Sequence, residues 1–180
     1  MTVLTESLSS ASTTASTTDR NGHGPQKKKR IALVASKGTL DQAYPPLILA
    51  TTAASLGWEA GVYFTFFGLD VIHRKRSRKL KMASLANPSG PIQMPNLLGA
   101  LPGATAGATL MMKRWMKNAN MPPVSEFISM AQGLGVEFFA CSTTMGVMGV
   151  GEEDLIDGCL VAGAADFMDF ASTAEVQLFI

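Results

Sequence analysis

The sequence predicts an α/β domain built on a mostly parallel sheet of about five strands with helices on both faces. Three observations carry this reading. Short apolar runs such as Ile31-Ala32-Leu33-Val34-Ala35 and Val136-Glu137-Phe138-Phe139-Ala140 have the length and composition of strands buried inside a sheet. Ala- and Leu-rich or helically spaced stretches separate them, as a parallel sheet requires. Hydrophobic residues make up 47% of the 180 residues, enough for one domain with a sizeable core.

Taken in order, residues 1–28 are dominated by Ser and Thr and can bury no face, so a disordered tail is expected, with the domain spanning 29–180. The basic run Lys27 to Arg30 reads as a solvated flank of the first strand. That strand, Ile31 to Ala35, feeds the turn Ser36-Lys37-Gly38-Thr39. The stretch from about Asp41 to Leu56 closes at Gly57, and Pro45-Pro46 should confine its regular helix mostly to the part after them. Glu59 to Phe67 supplies a second strand ending at Gly68-Leu69-Asp70, which completes a βαβ unit.

Residues 73–123 break the alternation. This irregular insertion opens with Arg74-Lys75-Arg76 and Arg78-Lys79-Lys81, then turns apolar and rich in Gly, Pro and Met, including Met94, Met111, Met112 and Met116. A structureless segment of this length is improbable within a compact domain, so it should form helices against a partner subunit or act as a mobile lid. Beyond it, Ser125 is placed to cap a helix carrying Phe127, Met130, Ala131 and Leu134, which leads through Gly135 into the strand that stops at Cys141. Glu152-Glu153-Asp154 begins a short helix, and Cys159 to Gly163 and Glu175 to Ile180 read as strands around a helical piece near Asp166 to Ala171. The sum is a single Rossmann-like domain.

The net charge of +1 gives no basic excess of the kind that nucleic-acid binding needs. Two separated cysteines suit a reducing compartment. Met1 to Thr18 has neither the basic nor the continuous apolar region of a signal peptide, so a cytoplasmic location is expected. Asn96 to Met112 is too broken by Pro102 and too Gly-rich for a membrane span, although membrane contact through the adjoining basic and apolar blocks stays open as a lesser alternative.

The position that draws chemistry is Cys141, which ends an apolar strand directly before the hydroxyl cluster Ser142-Thr143-Thr144 and a helix start. Carboxyl ends of strands are where open α/β sheets bind and react, and unpaired amides there favour a sulfur anion. Such a cysteine can be a nucleophile, metal ligand, redox partner or sulfur carrier. Metal binding is the weakest of these, because His23 and His73 are remote and read as solvated surface residues. A Cys-His hydrolase lacks a base. Lys37 follows a strand end on the same edge of the sheet and is a candidate cation for stabilising a thiolate. The Ser36 to Thr39 loop is a weak phosphate-binding signal, since neither a Gly-x-Gly-x-x-Gly nor a Walker-type loop is present. Cys159, entering an apolar strand, reads as a packed core thiol.

Ser36-Lys37-Gly38-Thr39-Leu40-Asp41 with Ala43-Tyr44-Pro45, and Cys141-Ser142-Thr143-Thr144-Met145-Gly146-Val147-Met148-Gly149 followed by Glu152 to Gly158, resemble the DsrE/DsrF-like family over about Arg30 to Ile180. The likeness is to the branch fused to coenzyme A disulfide reductases and found beside heterodisulfide-reductase-like sulfur-oxidation systems. It implies a DsrE-like sulfurtransferase or sulfur carrier that holds sulfane sulfur as a persulfide on Cys141; Lys37, Ser142, Thr143 and Thr144 are the expected supporting residues, and no cofactor or metal is expected. A TusA-like carrier, a rhodanese and a heterodisulfide-reductase-like complex are the implied partners, and a homo-oligomer the implied assembly. Ring-forming relatives place their cysteine before an alanine-rich, arginine-containing stretch, which this chain lacks. Two other readings compete: a thiol peroxidase or disulfide reductase, which needs Cys159 near Cys141, and a non-catalytic scaffold that docks a partner or a membrane with Cys141 merely buried.

Overall fold

Five strands pair in parallel in the order β4-β3-β2-β1-β5, where β1 is Arg30–Ala35, β2 Glu59–Phe64, β3 Glu137–Cys141, β4 Cys159–Ala162 and β5 Val176–Phe179. The computed structural model describes residues 28–83 and 104–180. Among the described residues, five helices connect or flank the strands: α1 Leu40–Ser55, α2 Ala104–Asn118, α3 Val124–Gly133, α4 Ser142–Met148 and α5 Ala164–Ser172. No described helix is long and apolar enough to cross a membrane.

Because side chains alternate along a strand, β1 to β4 feed two cores, one on each face of the sheet. Leu33, Val62, Phe64 and Phe138 face α1 and α3 and are fully buried with Leu47 and Ala131. Ala32, Tyr63, Phe139, Cys141 and Ala162 point the other way, onto Phe167 and Ala171 of α5. Tyr44 of α1 meets Phe127 of α3 edge to face at 5.9 Å, and its hydroxyl donates to the Pro122 carbonyl at 2.9 Å.

Several elements depart from the sequence reading. Strand β2 stops at Phe64, and a 3-10 turn covers Phe66–Val71, with Phe66 at φ 47. Two glycines fix that turn against the end of β1: a Cβ on Gly68 would collide with the Ala35 carbonyl, and one on Gly38 with the Phe67 carbonyl. Helix α1 starts at Leu40, ahead of Pro45 and Pro46, rather than after them. The prolines cost the helix the N–H groups that would reach the Asp41 and Gln42 carbonyls, but Pro46 is fully buried in the core and holds the helix in place. Pro123, not Ser125, caps α3, because its carbonyl already accepts the Glu126 and Phe127 N–H groups at 3.0 Å.

The insertion expected to be irregular is in part regular. Ser77–Lys79 form a 3-10 turn and Ala104–Asn118 form α2, which packs Met112 and Met116 against the first core and offers the Thr109 hydroxyl to the Met82 N–H at 3.0 Å. Met94, Asn96 and Pro102 lie outside the described residues, as do His23 and all of the expected tail but Lys28. His73 is buried rather than solvated. Its segment pairs with the loop before β4: His73 bridges Leu155, the Arg74 N–H reaches the Asp154 carbonyl, and the Ile156 N–H reaches Ile72. Burial first, then the Arg76 charge, holds this imidazole below its ordinary value.

Candidate functional site

Strand β3 delivers Cys141 to the carboxyl edge of the sheet, where it becomes the N-cap of α4 in an extended conformation. Its side chain shares the second face with Phe139, two residues earlier, and lies opposite Ala162 of β4. At 7% exposure the residue sits just under the surface, while the neighbouring Ser142 and Thr143 are exposed.

Thr144, one turn into α4, is buried and donates its hydroxyl to Cys141 Sγ at 3.2 Å. With that proton committed to sulfur, the Thr65 hydroxyl at 2.9 Å is the donor to Thr144 Oγ1. A two-hydroxyl relay therefore runs from the end of β2 to the thiol. Burial alone would raise the Cys141 pKa, but the Thr144 hydroxyl, the Tyr63 phenol, the Thr144 amide and the Thr65 hydroxyl outweigh it and leave the thiol below its ordinary value. This is the direction that populates a nucleophilic thiolate.

Tyr63 is the other group at the sulfur. It occupies β2 opposite Phe139, stacks on Phe167 with ring centroids 4.6 Å apart, and has a buried hydroxyl with no hydrogen-bond partner. Burial and the adjacent Cys141 both push its phenol up, so it remains a proton donor. Neither Tyr63 nor Thr65 stands out in the sequence. Their signal is the polar pair at i and i+2 near the end of a strand, which acquires meaning only once β2 is known to pair with β3.

Lys37 is exposed after β1, and β2 lies between β1 and β3, which puts the two strand axes roughly 10 Å apart. The groups gathered on the sulfur are hydroxyls from β2 and α4. The Ser36 to Thr39 loop instead borders a separate cleft of about 720 Å³ whose wall includes Gly38, Thr39, Asp70, Lys75, Lys79 and Lys81. Arg76 in that cleft is already paired with Asp70 at 2.9 Å.

Cys159 pairs with Phe138 on β4, three residues before the position opposite Cys141, and packs against the first core. Its thiol is pushed up to about 12, chiefly by burial. Both cysteines are free, and the sheet separates them. Among the described residues, no group of three or more His, Cys, Asp or Glu side chains is placed to hold a metal ion.

The model of the DsrE/DsrF/DrsH-like family matches residues 27–179. The chain is 39% identical over 160 residues to a protein of Allochromatium vinosum named sulfur carrier protein DsrE2, a match covering 86% of this chain and 99% of that one. It is 31% identical to the uncharacterized Bacillus subtilis protein YrkE, with the same coverage. In fold it is similar to the crystal structure of the E. coli ychN protein, with a TM-score of 0.51 at 12% identity over 84% of this chain and 99% of the other. A family match across nearly the whole folded region, together with that curated likeness, shows that this chain belongs to the DsrE/DsrF/DrsH-like family.

Proposed function

We propose that this protein is a sulfur carrier or sulfurtransferase that holds sulfane sulfur as a persulfide on Cys141 and relays it between proteins in cytoplasmic sulfur oxidation or trafficking. The observation that carries the reading is the thiol at the sheet's carboxyl edge, lowered by hydroxyl donors from two elements. Likeness to a protein named as a sulfur carrier supports it. In the loading step the Cys141 thiolate attacks the outer sulfur of a donor persulfide. A new S–S bond forms at Cys141, the donor's S–S bond breaks, and the donor leaves as a thiolate. Delivery to an acceptor thiolate reverses these roles, so no external oxidant, reductant or cofactor is needed. A TusA-like carrier, a rhodanese and a heterodisulfide-reductase-like complex remain the partners that the family resemblance suggests.

The low exposure of Cys141 favours a second reading, in which the thiol is structural and the chain is a docking scaffold. A disulfide reductase is disfavoured, because the sheet keeps Cys159 from Cys141. One experiment separates these. After incubation with inorganic polysulfide, intact mass should show added sulfur on wild type and on Cys159→Ser, and none on Cys141→Ser with its fold retained. Sulfur mapped to Cys159, or wild-type transfer by Cys141→Ser, would overturn the assignment; an unreactive wild type would leave the scaffold reading.

A further inference from the structure

Tyr63 presents a buried hydroxyl whose hydrogen-bonding geometry the fold leaves unsatisfied. It is 7% exposed, and its hydroxyl is one of two buried side-chain polar atoms without a hydrogen-bond partner among the described residues. A buried donor left unpaired weakens the fold, whereas a phenylalanine would keep the ring and lose the penalty. The ring cannot easily turn away, because it is stacked on Phe167 at an interplanar angle of 16°.

Register explains what the hydroxyl faces. Tyr63 pairs with Phe139, and Cys141 is the next residue on the same face of β3, so the two are diagonal neighbours across adjacent strands. Diagonal partners are within reach of an aromatic side chain. The phenol is near enough to lower the thiol as a hydrogen-bond donor does, yet its hydroxyl finds no acceptor at full hydrogen-bonding geometry while Cys141 is a bare thiol. A second sulfur bonded to Sγ would add an acceptor about 2 Å further out.

We infer that Tyr63 is a positioning residue whose hydroxyl, orphaned while Cys141 is a bare thiol, donates a hydrogen bond to the terminal sulfur of the Cys141 persulfide. This rests on the carrier reading above and adds a residue to it. The phenol keeps its proton throughout, and the donor and acceptor thiolates carry the charge in and out. Other groups do not compete for it. Asp166 on α5 is the charged side chain that acts on Tyr63, and its carboxylate is held by the Gly163 N–H at 2.8 Å. The Arg30–Glu59 pair lies at the opposite end of β1 and β2, Thr65 is committed to Thr144, and Ala32 and Val34 of β1 present only apolar groups on this face.

The test compares full-length wild type with Tyr63→Phe after loading with inorganic polysulfide. Iodoacetamide alkylation across a pH series is read by intact mass, which separates bare thiol from persulfide. The variant should load, should melt no lower than wild type when unloaded, and should show the persulfide's alkylation midpoint moved upward, with reaction roughly tenfold slower on the acid side of it. A merely structural role would move the melting temperature and leave that midpoint alone. The chain has two tyrosines, so replacing tyrosine with 3-fluorotyrosine in a Tyr44→Phe background puts a more acidic phenol at position 63 only. That protein should move the midpoint downward, and it serves if Tyr63→Phe fails to fold. If wild type loads and neither change moves the persulfide midpoint, the role of Tyr63 is refuted and the carrier reading stands. If wild type takes up no sulfur, both fall.

Discussion

At the scale of single residues, the reactivity proposed for Cys141 depends on where two protons point. Thr144 spends its hydroxyl proton on sulfur, and Thr65 resupplies Thr144, so each hydroxyl is fully used. Thr144→Val keeps the shape and removes the donor. Because the donor lowers the thiol, its loss should raise the pH at which Cys141 becomes reactive and slow alkylation at neutral pH by roughly two- to tenfold. An alkylation pH profile checks this, and a profile unmoved by the substitution would mean that other groups set the thiolate. The cysteine and its hydroxyl cluster were legible in the sequence because strand end, hydroxyl and helix start are contiguous in the chain. Tyr63 and Thr65 were not, since they stand more than 75 residues away and reach the sulfur only through the β2–β3 register. Lys37 was singled out on a shared sheet edge, but edge position says nothing about how many strands intervene.

At the scale of elements, apolar runs located all five strands, and glycines marked the starts of β2, β3 and β4 and the end of β4. What they could not mark was structure set by partners distant in sequence. Strand β2 was read three residues too long, because Phe66 and Phe67 look like strand residues while their conformation is dictated by the interlock of Gly38 and Gly68 with opposing carbonyls. His73 looked solvated within a basic run, and pairing with Leu155 buries it. The interlock also has a functional reach, since Thr65 immediately precedes the turn that it fixes. Gly68→Ala should destabilise the fold by about 1–3 kcal/mol through overpacking against the Ala35 carbonyl. Denaturant unfolding measures that cost. Alkylation of the folded variant should also slow as Thr65 shifts from Thr144, and a variant of wild-type stability would show that the turn simply moves aside.

At the scale of the whole molecule the two faces of the sheet are unequally covered. Among the described residues, helices α1 and α3 bury the first, whereas α5 is the helix that covers the second, and the edge strands β4 and β5 leave Leu160, Val161, Leu178 and Phe179 exposed. Open edges with apolar side chains favour association, in line with the homo-oligomer that the family resemblance implies. Light scattering on wild type should give a mass above the 19.0 kDa of one chain, and Leu160→Glu or Phe179→Glu should lower it. A wild-type mass of a single chain would exclude self-association.

The same sheet divides the two thiols, with Cys141 in one core and Cys159 in the other. For a carrier this separation is a statement about kinetics. A cargo sulfur cannot be expelled by a neighbouring thiol of its own subunit, so the loaded state has no intramolecular exit, and unloading is second order: its rate rises in proportion to the concentration of acceptor and falls to nothing without one.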